Sequence, residues 1–143
     1  MPNRRIAALE LLHRVKEQEI DGIGVRLRDI RTEQEKITAE INSLRQRAVD
    51  ESQCATPETL PYLSGFLGAI ERRRGLLGAR LDKLDETARS IEDELRLAFV
   101  EAKRNEAVLD LARERHQLDE ARRENAEAAE IAQNIYLRRL ADR

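Results

Sequence analysis

Few side chains in this sequence have the type and spacing that chemistry requires. The two histidines, His13 and His116, stand far apart among charged residues, and neither has His, Cys or carboxylate neighbours at metal-ligand spacing. The single cysteine, Cys54, excludes an internal disulfide bond and lies in a polar segment. We therefore expect no catalytic residue, no metal site and no cofactor, and we interpret both histidines as polar positions on helices.

The glycines at positions 65, 68, 75 and 78 do not form a phosphate-binding loop. They lie within a helical pattern, no strand pattern precedes them, and no Gly-Lys-Ser/Thr follows them. A pair of helices also offers no enclosed pocket of the kind that holds a small substrate. The sequence predicts a protein that is not an enzyme.

The composition narrows the class of partner. Charged residues make up 38% of the chain and aromatic residues 3%, which is typical of long helices or a coiled coil. The 26 basic and 28 acidic residues nearly balance, and nucleic-acid binding needs a surplus of Lys and Arg. No apolar run approaches the roughly 18 residues that span a membrane, and residues 1–10 lack the apolar part of a secretory signal. We expect a cytoplasmic protein that binds other proteins.

The first segment carries a heptad pattern of alternating three- and four-residue steps. A stripe with this period predicts a left-handed coiled coil. All its members are apolar except His13, Lys16 and Gln34. The predicted seam positions are Ile6, Leu9, His13, Lys16, Ile20, Ile23, Leu27, Ile30, Gln34, Ile37, Ile41, Leu44 and Ala48.

A loop with two prolines follows, and then a second heptad segment. Pro57 and Pro61 mark the loop, and Thr56 is placed to cap a short helical turn that starts at Pro57 and breaks at Leu60. The second seam comprises Leu63, Leu67, Ile70, Arg74, Leu77, Leu81, Leu84, Ala88, Ile91, Leu95, Ala98 and Ala102. Beyond Ala102 the stripe Val108, Leu111 and Leu118 suggests a change of register, called a stutter.

These patterns predict an all-α fold in which two long helices form an antiparallel coiled-coil hairpin. We expect a single domain over residues 1–143, with a helix over 4–48, a loop over 49–61 and a helix over 62–140. Pairing outward from the loop would use up the first helix when the second reaches about Glu106, so the rest of the second helix should overhang.

Three surface features stand out as candidate partner-binding sites. The first is a stripe close to the loop, and the second is the basic run of residues 72–74. The third is a late apolar cluster on the overhang, because an unpaired helix with an apolar stripe must bury it against something. The loop stripe contains Tyr62, Phe66, Ile70, Arg73 and Leu77, and the overhang cluster contains Ile131, Ile135, Tyr136 and Leu137 beside Arg138 and Arg139. Equally, Tyr62 and Phe66 could simply cap the core at the loop.

Two local strings resemble the FliJ family of type III protein export and its YscO-like counterpart in virulence secretion. One is Tyr62-Leu-Ser-Gly-Phe66-Leu-Gly-Ala-Ile70, similar to the aromatic-rich start of the family's second helix. The other, Ala102-Lys-Arg-Asn-Glu-Ala-Val-Leu-Asp-Leu-Ala-Arg-Glu-Arg115, is similar to its Lys/Arg–Leu–Glu-Arg run. The chain departs from the family's pattern in having no Trp and extra glycines.

The resemblance implies a stalk and chaperone component of the flagellar export apparatus. It implies that the end with both termini binds the hexameric export ATPase and promotes its assembly and ATP hydrolysis. It also implies that the loop end contacts the cytoplasmic domain of the membrane export gate, and that export chaperones are further partners. Such a protein is cytoplasmic and peripheral to the inner membrane through these partners. By matching position, Tyr62, Phe66, Ile70, Arg73 and Leu77 would face the gate, and Arg4, Ile6, Ile131, Ile135, Tyr136, Leu137 and Arg138 would face the ATPase ring.

Two other classes fit the same patterns. A central stalk subunit of a rotary ATPase is also a helical hairpin, although such chains usually carry an additional domain between the helices. A generic coiled-coil scaffold would dimerise in parallel; Pro57, Pro61 and the unequal helix lengths argue against one continuous rod, but a dimer of hairpins stays open. A measurement of the molecular mass of the protein in solution would distinguish a monomeric stalk from such a scaffold.

Overall fold

The computed structural model describes residues 3–142 and consists of two long helices. Helix α1 runs over Arg4–Gln53 and helix α2 over Leu60–Ala141. No strand occurs in this part of the chain, so the predicted all-α fold of two long helices is confirmed. Met1, Pro2 and Arg143, which the predicted domain includes, lie outside the described residues.

Helix α1 is capped at its start and is longer at its end than the heptad pattern predicts. Asn3 caps the start, because its side-chain Oδ1 accepts a hydrogen bond from the backbone N–H of Arg5 at 3.0 Å. At the far end, the hydroxyl of Ser52 donates to the carbonyl of Ala48 at 2.7 Å. Residues 49–53, which are mostly polar, are assigned to the loop from the sequence, but no proline lies between Arg4 and Pro57 to stop the helix.

The connection is correspondingly shorter than the predicted loop of residues 49–61. Thr56 begins a helical turn, because its carbonyl accepts hydrogen bonds from the N–H groups of Thr59 and Leu60, each at 3.0 Å. The hydroxyl of Thr59 accepts from the N–H of Thr56 at 2.9 Å, which is the half of a capping box in which the third residue's side chain reaches back to the first N–H. The predicted break at Leu60 is absent: α2 begins there, with Pro61 in its first turn, where a missing N–H is tolerated.

Both helices contribute to each of two compact units. The connection unit, Glu19–Ala98, holds most of the core. Its ion pairs join Arg26 to Glu94 at 3.2 Å and Arg73 to Glu40 at 3.0 Å, so residue numbers rise on one helix as they fall on the other. The helices of this unit are therefore antiparallel. Its apolar seam forms two clusters, one of Ile23, Leu27, Ala88, Ile91 and Ala98 and one of Ile37, Leu44, Ile70, Leu77 and Leu84.

The terminal unit, Met1–Gln18 with Phe99–Arg143, has a much thinner core. Ala102 and Leu109 are its buried residues among those the structure describes, and the half-buried seam around them includes His13 and Lys16. Lys16 Nζ lies 2.7 Å from Glu101 Oε2, and Arg113 Nη2 lies 3.1 Å from Glu10 Oε1, so this unit is also antiparallel.

The predicted stutter after Ala102 is wrong. The original seam continues through Asn105, Leu109, Ala112 and His116, which are buried or half-buried. Val108, Leu111 and Leu118, the supposed new stripe, are 45%, 48% and 58% exposed. The seam consists of the residues that face the other helix. Because a continuous helix has a constant number of residues per turn, the same heptad positions face the other helix even where they are occupied by polar residues.

The unpaired part of α2 begins later than the sequence predicts. Arg113 still pairs with Glu10, and α2 retains half-buried positions at His116 and Glu120. From Ala121 to Asp142 every residue is exposed. The predicted start near Glu106 assumed that pairing begins at residues 48 and 62. In the structure Arg47 instead faces Phe66, because the first turn of α2 belongs to the reversal of the chain.

Candidate interaction surfaces

The first candidate, the connection surface, is formed by Tyr62, Phe66 and the residues around them. Tyr62 is 79% exposed. Phe66 is half-buried against the apolar cluster below it, and the Arg47 guanidinium carbon lies 5.6 Å from its ring centroid. Phe66 thus caps the core, as one interpretation of the sequence proposed, whereas Tyr62 adds little to that packing.

A shallow cleft of about 330 Å³ lies beside these rings. It is lined by Glu51, Cys54, Ala55, Thr59, Tyr62, Leu63 and Phe66. Cys54 is exposed and unbonded, so its thiol is accessible at the rim. The lining is mixed, with an acid, a hydroxyl and two aromatic rings, and could receive an apolar side chain of a protein partner.

Two of the residues predicted to face a partner here are core residues instead. Ile70 and Leu77 are 6% and 5% exposed and lie in the same apolar cluster as Ile37 and Leu44. They occupy seam positions of the heptad, and the seam turns them toward α1. Arg73 does lie on the surface, but its guanidinium donates two hydrogen bonds to Glu40 Oε1, at 3.2 and 3.0 Å.

The basic run of residues 72–74 is divided among different environments. Arg73 pairs with α1, while Arg74 pairs with Glu71 on its own helix at 3.0 Å. Arg74 Nε is buried and has no hydrogen-bond partner. The run is thus partly engaged within the chain and does not present three free cations on one face.

The second candidate, the terminal stripe, lies on the unpaired part of α2. Its large apolar side chains are all about half exposed or more: Ile131 60%, Ile135 47%, Tyr136 63%, Leu137 53% and Leu140 47%. Arg138 and Arg139 occupy the last turn of the helix. The structure therefore places the predicted overhang residues on a free surface, and it adds Leu140 to them.

Arg4 and Ile6 do not join this stripe, although the sequence grouped them with it. Glu10 faces Arg113, and antiparallel pairing then places Ile6 level with about residue 117 of α2. Ile131 lies about 14 residues farther along, or about 20 Å of helix. Arg4 is exposed and Ile6 is half-buried in the seam.

Sequence reasoning missed a second group of exposed apolar residues in the terminal unit. Leu11, Leu12 and Val15 on α1 are 57%, 40% and 50% exposed; Leu11 and Val15 lie on the side of the helix away from the seam, and Leu12 borders the seam. Leu12 lines a cleft with Lys16, Glu101, Arg104 and Asn105. The signal was present as a run of non-seam apolar residues in the first turns of α1, but single exposed apolar residues are common and carry little information.

The polar contacts of the terminal unit involve both histidines. His13 Nε2 lies 3.0 Å from Glu17 and His116 Nε2 lies 3.7 Å from Glu120, each one helical turn along the same helix. His13 Nδ1 is buried without a hydrogen-bond partner. The hydrogen bond from Lys16, together with its positive charge, holds the pKa of Glu101 below its ordinary value.

Within residues 3–142 no group of three or more His, Cys, Asp or Glu side chains is arranged to hold a metal ion. The described helices contain no stretch that is both long and apolar enough to cross a bilayer. No protein-family model, no curated protein and no solved structure matches the chain. The connection surface and the terminal stripe are therefore the structural basis for the proposed function.

Proposed function

We propose that this protein is a stalk and chaperone component of the flagellar type III protein export apparatus and acts by binding other proteins. In this proposal the terminal stripe binds the hexameric export ATPase, and the connection surface binds the cytoplasmic domain of the export gate. Export chaperones are further partners. The protein is cytoplasmic and reaches the inner membrane only through these partners.

The observation that carries the proposal is the fully exposed end of α2. Large apolar side chains over Ile131–Leu140 lie on the part of α2 in which every described residue is exposed. They are suited to burial against another protein. The antiparallel pairing of two helices, one of them longer, agrees with the architecture that the FliJ resemblance implies. The local strings at Tyr62–Ile70 and Ala102–Arg115 supply the link to export.

Any effect on ATP hydrolysis must come from binding that shifts the assembly or conformation of the ATPase. In the proposed role the protein contributes no catalytic group. A helix end that combines apolar residues with Arg138 and Arg139 can contact several subunits of a ring through weak, similar interactions. Such binding favours the assembled ATPase to the extent that the protein binds the assembled ring more tightly than the separate subunits.

The test is a comparison of the full chain with a chain ending at Glu130. We expect the full chain to stimulate hydrolysis by a type III export ATPase and the truncated chain to have lost that stimulation. Thermal unfolding should show that the paired helices remain folded, because every residue from 131 to 142 is exposed. Full stimulation by the truncated chain would show that the terminal stripe is not the ATPase-binding surface.

The gate contact has its own variant, Tyr62→Ala. Tyr62 is the exposed aromatic residue at the connection, so its removal should weaken binding to the gate domain without lowering the melting temperature. Leu76→Ala is the matched control, because Leu76 is 67% exposed on the same unit but lies outside the cleft. Equal affinity of Tyr62→Ala and the native chain would exclude this surface.

A further inference from the structure

One face of the terminal stripe, formed by Ile131 and Ile135, combines apolar side chains with charges that are segregated along the helix. Ile131 and Ile135 are four residues apart and lie on one face, which Ala128 and Ala132 extend without bulk. The acids Glu124, Glu127 and Glu130 precede this face, and Arg138 and Arg139 follow it. Between residues 124 and 139, the part before Ile131 is therefore acidic and the part after Ile135 is basic, while Arg122 and Arg123 precede this stretch and Asp142 follows it.

We propose that, in the free protein, the Ile131 and Ile135 face of the terminal stripe is covered by the same face of a second copy of this chain, packed antiparallel. The inference does not rest on the proposed function, because it concerns the chain without any other partner. The dimer and a complex with another protein use the same residues, so the two are mutually exclusive.

Charge complementarity selects the second copy and its direction. A register that places Ile131 opposite the copy's Ile135 brings Glu127 to within one residue of the level of the copy's Arg138. Glu127 precedes Ile131 by four residues and Arg138 follows Ile135 by three, so both border the same side of the isoleucine pair. Because the dimer has two-fold symmetry, each of these contacts occurs twice. A parallel copy would instead place Glu127 beside Glu127 and Arg138 beside Arg138.

The helix itself is already formed, which lowers the cost of association. Isolated helices of this length are marginal in water because nucleation is unfavourable. Here residues 121–141 continue α2 from a paired region, so nucleation has taken place. Ala121, Ala128 and Ala132 border the same face and let a second backbone approach closely, and each alanine favours the helical state.

The first test is the mass of the full chain in solution by sedimentation equilibrium. A reductant is included so that exposed Cys54 cannot link copies. We expect a monomer–dimer equilibrium that is lost in the double variant Ile131→Asp/Ile135→Asp and retained in Leu76→Asp, which alters a comparably exposed leucine elsewhere. A native chain that is monomeric at every concentration, or a dimer that survives the double variant, overturns the proposal.

The second test uses charge reversal and does not depend on the isoleucines. Glu127→Arg alone and Arg138→Glu alone should each weaken the dimer, because each creates two contacts between like charges. An equimolar mixture of the two single variants should dimerise again, because the heterodimer restores both contacts. Unchanged dimerisation of either single variant, or a mixture no better than its components, overturns the antiparallel register.

Discussion

Four glycines lie in the first turns of α2, although glycine weakens a helix. In the structure a Cβ at Gly65, Gly75 or Gly78 would meet no atom within 4 Å. At Gly68 it would meet only the Nη1 of Arg72, at 3.5 Å. These glycines therefore do not mark a close approach of two backbones within the described chain. They lower the stability of this stretch of helix.

Gly75→Ala should therefore stabilise the protein. Alanine loses less backbone entropy on folding, and the site is exposed and open, so we expect a gain of about 0.5–1 kcal/mol in the free energy of unfolding. Urea denaturation measures it. The reverse change at a nearby exposed site, Ala69→Gly, is the control and should lower stability by a similar amount; a Gly75→Ala protein of unchanged or lower stability contradicts the explanation.

The buried aliphatic residues of the seam carry most of the stability of the connection unit. Ile91 is 4% exposed and packs among Ile23, Leu27 and Ala88, and we expect Ile91→Ala to cost about 2–4 kcal/mol. Leu97 lies on the same helix but is 66% exposed, so Leu97→Ala should change stability by less than about 0.5 kcal/mol. Similar losses in the two variants would mean that the seam is not the core.

At the scale of the helices, ion pairs on both sides of the seam specify which residues face each other. One side carries Glu40 with Arg73 and Glu33 with Arg80, and the other carries Arg31 with Glu92. Each pair is exposed, so its contribution to stability is small. Pairing in a different register would break these contacts, so the pairs act on register more than on stability.

A charge-reversal cycle at Glu40 and Arg73 tests this role. Glu40→Arg and Arg73→Glu should each lower the free energy of unfolding by about 0.2–1 kcal/mol, the usual range for exposed pairs. The double variant should recover most of the loss, because it restores opposite charges at the same positions. Strictly additive losses in urea denaturation would show that the two side chains do not interact in solution.

The pair of Lys16 and Glu101 predicts a dependence of stability on pH. Because the pKa of Glu101 is lowered in the folded chain, the pair stabilises the fold in full above pH 4.5, the ordinary value of the carboxyl group. This contribution is lost as the pH falls below 4.5 and through the lowered pKa. The pair's contribution to the melting temperature, measured as the native chain minus Lys16→Met, should therefore be larger at neutral pH than below pH 4.5. The difference between the native chain and Lys36→Met should show no such change.

At the scale of the whole molecule, the two units differ in what holds them together. The connection unit buries isoleucine and leucine at successive seam positions, whereas the terminal unit buries only Ala102 and Leu109 among its described residues and fills its seam with polar side chains. The free energy of local unfolding increases with the number of buried apolar contacts. The terminal unit should therefore unfold locally at a lower free-energy cost than the connection unit.

Hydrogen exchange of the free protein measures this difference directly. Amides of residues 8–18 should exchange faster than those of residues 37–48, although both stretches lie in the interior of α1. Amides of residues 121–141 should be the least protected at concentrations that favour the monomer, and should gain protection as the concentration rises if a second copy covers them. Uniform protection along α1 would contradict the difference between the units.

The sequence by itself determined the helices, the seam and the position of the chain reversal. Heptad periodicity depends only on the geometry of a helix, so every seam position predicted from Ile6 to Ala48 and from Leu63 to Ala102 is buried or half-buried. The two prolines placed the connection for an equally local reason, since proline restricts its own backbone and that of the residue before it.

The tertiary structure decided register and exposure, because both depend on which residues of the second helix lie opposite the first. Arg47 against Phe66 and Glu10 against Arg113 set where pairing ends, and no local pattern encodes that offset. The same pairing left Tyr62 exposed, whereas Ile70 and Leu77 are buried as their heptad positions predict, although the sequence also placed all three in one stripe facing a partner. A side chain's hydrophobicity favours burial, but the partner that buries it, α1 or another protein, is a property of the assembled fold.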